Sequence, residues 1–168
     1  MRCSGKPYDD KVIFLCGAGM FNNILFICVG NICRSPLAEY WAREQLEKSG
    51  VNNIYVSSAG LQAMRLSPIA PESQAILTRF QIDASNHFAK QVEENHILKA
   101  DIIFTMEAWQ KKELSIAFPG SHGKIFCLGK WRDEEIIDPY RQGTEIFEQV
   151  FELIKNNWDV WQKKLWKA

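Results

Sequence analysis

The chain has 168 residues, 46% of them hydrophobic and 24% charged, the size and composition of a single globular domain able to bury a core. Twenty Lys and Arg balance 20 Asp and Glu, which speaks against a general nucleic-acid binder or a membrane-surface protein, and no apolar run approaches a membrane span. Five cysteines, an odd number at irregular spacings, fit a reducing compartment better than a disulfide framework, and none has metal-site spacing to histidine.

Residues 1–19 contain a short apolar run, Val12-Ile13-Phe14-Leu15, preceded by Asp9-Asp10. The run is too short and its flank too acidic for a secretory signal. These residues are expected to be a flexible N-terminal extension or a start-site artefact, the alternative being an arm that meets a neighbour. Ile24-Leu25-Phe26-Ile27 then reads as a strand buried on both faces. Gly30 and Asn31 tolerate positive φ and let the following loop fold back. Ser35 reads as an N-cap, Pro36 as the first helical residue, and Gly50 as the residue past the helix end.

Ile54–Ala59 is expected to be strand two. Pro71 opens a helix with Ala75, Ile76 and Phe80 inward, and another helix is expected around Lys90–Leu98. Asp101–Thr105 is strand three, with Asp101 structural, followed by a helix from Glu107 to Ala117. Lys124–Leu128 is strand four. The long loop from Gly129 to Gly143 reads as functional. Thr144 is expected to cap a last helix, in which Phe147, Val150, Phe151, Ile154, Trp158, Trp161 and Leu165 recur at helical spacing and point to the core. Strands alternating with helices imply an α/β domain with a parallel sheet covered on both faces. Ligands bind such sheets beyond the carboxyl ends of the strands.

Cys28 stands at that place, facing a helix N-terminus and a turn of backbone N–H groups. This is an anion site with a thiol at its floor. Arg34, six residues on, can wrap the loop mouth and grip two oxygens of a phosphate. Ser35 can donate to the sulfur. A phosphate dianion held there is poised for in-line attack by a thiolate. Asp138, in the loop after strand four, is the candidate general acid, although an Asp-Pro pair is also a common turn. His96 and His122 read as solvated.

Cys28-Val29-Gly30-Asn31-Ile32-Cys33-Arg34-Ser35-Pro36 resembles the phosphate loop of low-molecular-weight protein tyrosine phosphatases, and Asp138-Pro139-Tyr140 resembles their distal acid motif. Ser58-Ala59-Gly60-Leu61 and Asp138-Pro139-Tyr140-Arg141 are most similar to the bacterial branch linked to exopolysaccharide and capsule export. The resemblance implies a three-layer sandwich, with a four-stranded parallel sheet of order 2-1-3-4, in a domain spanning 20–168. It implies phosphotyrosine hydrolysis through a cysteinyl-phosphate, with no metal or other cofactor: Cys28 as nucleophile, Arg34 as clamp and Asp138 as acid and base. Val29, Gly30, Asn31, Ile32, Cys33 and Ser35 complete the phosphate loop, supported from behind by Ser58 and His87. Ile32 is expected at the floor of the phenyl pocket, where arginine-phosphatase relatives carry Thr. Leu61 and Tyr140 are its expected walls, and Arg141 a rim residue suited to acidic peptides.

The partners implied are phosphotyrosine proteins, among them a bacterial tyrosine autokinase of polysaccharide export, met in the cytoplasm by a monomer or weak dimer. Cys33 could resolve an oxidised Cys28 as a disulfide. Arsenate reduction is the enzymatic alternative, but the only cysteine downstream of Cys33 is Cys127. A phosphotyrosine-binding module without catalysis is the non-enzymatic one.

Overall fold

The computed structural model describes residues 21–166; the expectations for residues 1–19 lie outside them. Four strands, β1 (Asn23–Cys28), β2 (Tyr55–Gly60), β3 (Ile102–Thr105) and β4 (Ile125–Cys127), form one parallel sheet in the order β2-β1-β3-β4. The helices are α1 (Arg34–Lys48), α2 (Pro71–Thr78), α3 (Glu94–Lys99), α4 (Ala108–Ala117) and α5 (Thr144–Leu165), with 3-10 turns at Pro119–Lys124 and Leu128–Arg132. The α/β sandwich and the expected strand order are both present.

The near-continuous apolar run of β1 is explained by its central place. Ile24, Phe26 and Cys28 alternate onto one face, beneath α1, α2 and α5. Leu25 and Ile27 point to the other, against Ile97 of α3 and Leu114 of α4. The larger core is aromatic. Phe104 lies 5.4 Å from Phe26 and 4.8 Å from Trp161, ring centre to ring centre, and Trp158 meets Phe26 at 5.7 Å. Edge and offset contacts of this kind add about 0.5–1.5 kcal/mol each beyond area burial. The Trp-rich tail is therefore core: Trp158, Trp161 and Trp166 are all buried.

Several local expectations are corrected. The first helix starts at Arg34, with Cys33 as its N-cap, because the Ser35 hydroxyl is engaged at the thiol instead. Gly30 is not among the positive-φ residues; Asn31 alone takes that conformation in the loop, at φ 57°. Ala75 and Phe80 are exposed, while Ile76 and Leu77 face the core. Phe80 lies past the helix and meets Trp41 edge-on at 5.1 Å.

The helix expected over Lys90–Leu98 is only Glu94–Lys99, since Gln91 bridges to Gly60 and extends the sheet edge. His96 is half-buried and accepts the Glu93 N–H through Nδ1, closing a capping box at that helix start. Thr144 is the first residue of α5 rather than its cap; Gly143, at φ 89°, holds that place. Gly50 has the positive φ expected of it, 74°. Asp101 is structural: its carboxylate accepts the Asn22 and Asn23 N–H groups, both at 2.8 Å, and anchors the start of β1.

β1 is flanked by β2 on one side and β3 on the other, so the connections leaving it diverge. Its carboxyl end is the switch point of the sheet, the place where such folds bind ligands.

Candidate active site

β1 ends at Cys28, and residues 29–33 turn over its end into α1. The thiol is buried, 2% exposed. Its sulfur lies 2.8 Å from Ser35 Oγ and accepts the Asn31 N–H at 3.3 Å. The direction of the Ser35 bond follows from its neighbours. The Asn31 side-chain amide donates to Ser35 Oγ and to Ser58 Oγ, both at 2.9 Å. An amide nitrogen has only protons to give, so Ser35 is left to point its own proton at sulfur. Ser58 donates a hydrogen bond to the buried carboxylate of Glu39 at 2.5 Å, and Arg43 donates to the other oxygen of that carboxylate at 2.5 Å.

Asn31 is held in its left-handed conformation from three sides. Besides the two serines, Lys90 N–H donates to its Oδ1 at 3.0 Å, and His87 Nε2 lies 2.8 Å from its carbonyl. Backbone strain of this sort persists only where surrounding bonds over-determine it. Behind the loop, Gly60 leaves no room for a side chain: a Cβ there would stand 2.4 Å from the Val29 carbonyl and 3.1 Å from Asn31. Among the described residues, the N–H groups of Gly30, Ile32 and Cys33 make no hydrogen bond to protein.

Arg34 is 2% exposed. Its Nη1 donates to the Glu107 carboxylate and, at 2.9 Å, to the Ile136 carbonyl. Its Nη2 lies 3.7 Å from Asp138 Oδ2. Asp138 is half exposed, and its other oxygen accepts the Tyr140 N–H at 3.1 Å. Thiol, guanidinium and carboxyl group all line one cavity of about 130 Å³, with Ile32 and Tyr140 in its wall.

A family model for low molecular weight phosphotyrosine protein phosphatases matches residues 23–168. The chain belongs to this family. Over 146 residues the phosphatase is 34% identical to a probable low molecular weight protein-tyrosine-phosphatase EpsP of Ralstonia nicotianae, covering 87% of this chain and 97% of that relative. Over 147 residues it is 36% identical to the low molecular weight protein-tyrosine-phosphatase Wzb of Escherichia coli K12, with 87% and 97% covered. Among solved structures, Vibrio vulnificus Wzb in complex with benzylphosphonate superposes with a TM-score of 0.80 at 33% identity, over 86% of this chain and 99% of that one.

One feature of the phosphatase departs from the sequence expectation. Leu61 does not line the cavity that holds Cys28; Gln62 and Met64 do. Leu61 packs on the smaller core and faces the neighbouring hollow. Arg141 lies outside the cavity wall, its guanidinium 5.1 Å from the Tyr140 ring centre.

Glu107 and Glu39 were not anticipated. Glu107 caps α4 with a capping box shared with Gln110 and also accepts the Trp109 Nε1–H; these are its local partners, whereas Arg34 is 73 residues away. Removing one partner of a buried ion pair costs about 3–5 kcal/mol. Arg34 keeps the Ile136 carbonyl, so Glu107→Ala is expected near the low end, about 3 kcal/mol, read from urea midpoints. Glu107→Gln, whose amide oxygen can still accept, should lose less. An unchanged midpoint in the alanine variant would mean that the pair does not hold Arg34.

Burial pushes the Cys33 thiol up to about 12, with Cys28 and Asp138 adding to the shift and Arg34 opposing it. Cys33 therefore stays protonated at neutral pH, beside a thiol that has two hydrogen-bond donors aimed at it.

Proposed function

We propose that this phosphatase hydrolyses phosphotyrosine in proteins in two displacements at phosphorus, without a metal ion. The observation that carries the reading is the buried Cys28 sulfur, with the Ser35 hydroxyl and the Asn31 N–H on it, in one cavity with Arg34 and Asp138. The Cys28 thiolate attacks phosphorus and the bond to the tyrosyl oxygen breaks. Asp138 gives that oxygen its proton. Arg34 and the free loop amides take up the charge on the equatorial oxygens. In the second step the Asp138 carboxylate takes a proton from water, the water oxygen bonds to phosphorus, and the S–P bond breaks. The Ser35 hydroxyl stabilises the departing sulfur.

Acid quench during p-nitrophenyl phosphate turnover tests this directly. Peptide mapping should find phosphate on the Cys28 peptide. Phosphate on another residue, or none covalently bound at any time, would sink the two-step scheme.

The apolar Ile32 in the cavity wall favours a phenyl ring over phosphoarginine, and Tyr140 supplies a second apolar surface. The physiological partner in this reading is an autophosphorylating tyrosine kinase of polysaccharide export, supported by similarity to the EpsP and Wzb relatives. A cytoplasmic enzyme, monomeric or weakly dimeric, is part of the same proposal. No helix of the described residues is long and apolar enough to cross a membrane, and Cys28, Cys33 and Cys127 are free thiols. The division into an extension at 1–19 and a phosphatase domain at 20–168 is supported by a family match that begins at residue 23.

Redox sensitivity belongs to this reading too. Peroxide would convert Cys28 to a sulfenic acid, and Cys33 would displace water from it to form a disulfide. A thiol held near 12 makes that second step slow. Peroxide-treated wild type is expected to recover with a dithiol, and Cys33→Ser to recover poorly after the same exposure. Equal recovery would remove Cys33 from the scheme.

A further inference from the structure

Beside the catalytic cavity lies a second hollow of about 330 Å³, against about 130 Å³ for the cavity itself. Val29 and Gln62 line both, so the two are separated only by the loop edge. We propose that this hollow seats a bulky apolar side chain which the substrate protein carries close to its phosphotyrosine. The inference rests on the phosphotyrosine reading above and extends it to substrate choice.

The dividing edge is firmly built. Leu61 N–H donates to the Cys28 carbonyl at 2.9 Å and Gln62 N–H to the Val29 carbonyl at 3.0 Å. From the far side the Gln91 side chain grips the same segment twice. Its amide nitrogen donates to the Leu61 carbonyl at 2.6 Å, and its oxygen accepts the Ala63 N–H at 2.9 Å. A wall tied at both faces loses little freedom when a ligand settles against it, which is how preorganisation raises affinity.

Part of the lining is apolar. Leu61, Val92 and Phe118 supply its aliphatic and aromatic surface. The outer wall is one stripe of α4, Trp109, Glu113 and Ala117, each four residues from the last and so on one helix face. Trp109 is 43% exposed, and its Nε1–H donates to Glu107 Oε2 at 2.9 Å, which orients the ring. An oriented indole that leaves apolar surface in water, beside a phenyl pocket, is an anchor for a second side chain of the same substrate. Continuity with the catalytic cavity selects the occupant. Whatever protein presents its phosphotyrosine to Cys28 must lay neighbouring residues across Val29 and Gln62.

The test uses phosphotyrosyl peptides with alanine neighbours, in which a single Leu or Trp is walked through the positions on each side. p-Nitrophenyl phosphate, which cannot reach the hollow, is the reference substrate. One position is expected to raise kcat/KM on the order of tenfold, mainly through KM. Ala117→Trp, which fills the hollow from its exposed rim, should abolish that gain. Its rates on the all-alanine peptide and on p-nitrophenyl phosphate should not change. If Ala117→Trp loses the reference activity, Glu113→Tyr, one turn earlier, takes its place.

A flat scan with an active all-alanine peptide overturns the proposal, as does a gain that survives filling the hollow. Wild type that turns over p-nitrophenyl phosphate but no phosphotyrosyl peptide overturns the phosphotyrosine reading instead.

Discussion

Cys28→Ser is expected to lower p-nitrophenyl phosphate hydrolysis on the order of 10⁴-fold or more while leaving the fold in place. The change removes a sulfur nucleophile and substitutes a hydroxyl that has no base beside it. Around Cys28 the near partners are the Ser35 hydroxyl and the Asn31 N–H, and neither can take its proton while donating. Nothing else in the loop depends on sulfur. Asn31 keeps its bonds to Ser58, Lys90 and His87, and Arg34 keeps Glu107 and Ile136. The thermal midpoint should therefore stay close to wild type, and the variant should still bind inorganic phosphate, measured by calorimetry. Cys33→Ser is the contrast within the same loop. That thiol, held near 12 by burial, is a poor nucleophile at neutral pH and does not sit at the loop floor, so its loss should leave most of the turnover. Substantial activity in Cys28→Ser, or equal losses in the two variants, would overturn the assignment of the nucleophile.

The parts of this site that the sequence made legible are local. An apolar strand, a turn through Gly30 and Asn31 able to take positive φ, and a helix start lie within about a dozen consecutive residues, and their chemistry follows from their combination. The alternation of strands and helices led to the parallel sheet by the same kind of reasoning. What sequence could not reveal depends on packing between distant segments. Glu39 reads as one more charge on α1 until Ser58 and Arg43 are seen closing on it. Glu107 fits a capping box so well that a second role leaves no trace in the pattern. The family resemblance puts Leu61 in the phenyl wall, but the chain beyond the strand end turns it toward the other hollow. Ser35 had two plausible uses, helix cap or thiol partner, and only the loop geometry decides between them in favour of sulfur.

Asp138→Asn is expected to lower kcat about 10²–10⁴-fold with little change in KM. The variant isolates proton transfer, because asparagine keeps the size of the side chain and an oxygen for the Tyr140 N–H, which Asp138 accepts at 3.1 Å. What it loses is a group that can give up a proton and then take one back. Phosphate binding should survive, since Arg34 has its own supports in Glu107 and Ile136 and lies 3.7 Å from Asp138. The loss should depend on the leaving group. A nitrophenolate leaves readily without a proton, whereas the phenolate of phenyl phosphate or phosphotyrosine needs one, so the variant should be hit harder on the latter pair. With p-nitrophenyl phosphate the first step stays comparatively fast while water attack lacks its base. The cysteinyl-phosphate should then accumulate, giving a burst of nitrophenolate close to one per enzyme. Equal losses across leaving groups, without a burst, would show that Asp138 only positions Arg34 and that the proton comes from elsewhere.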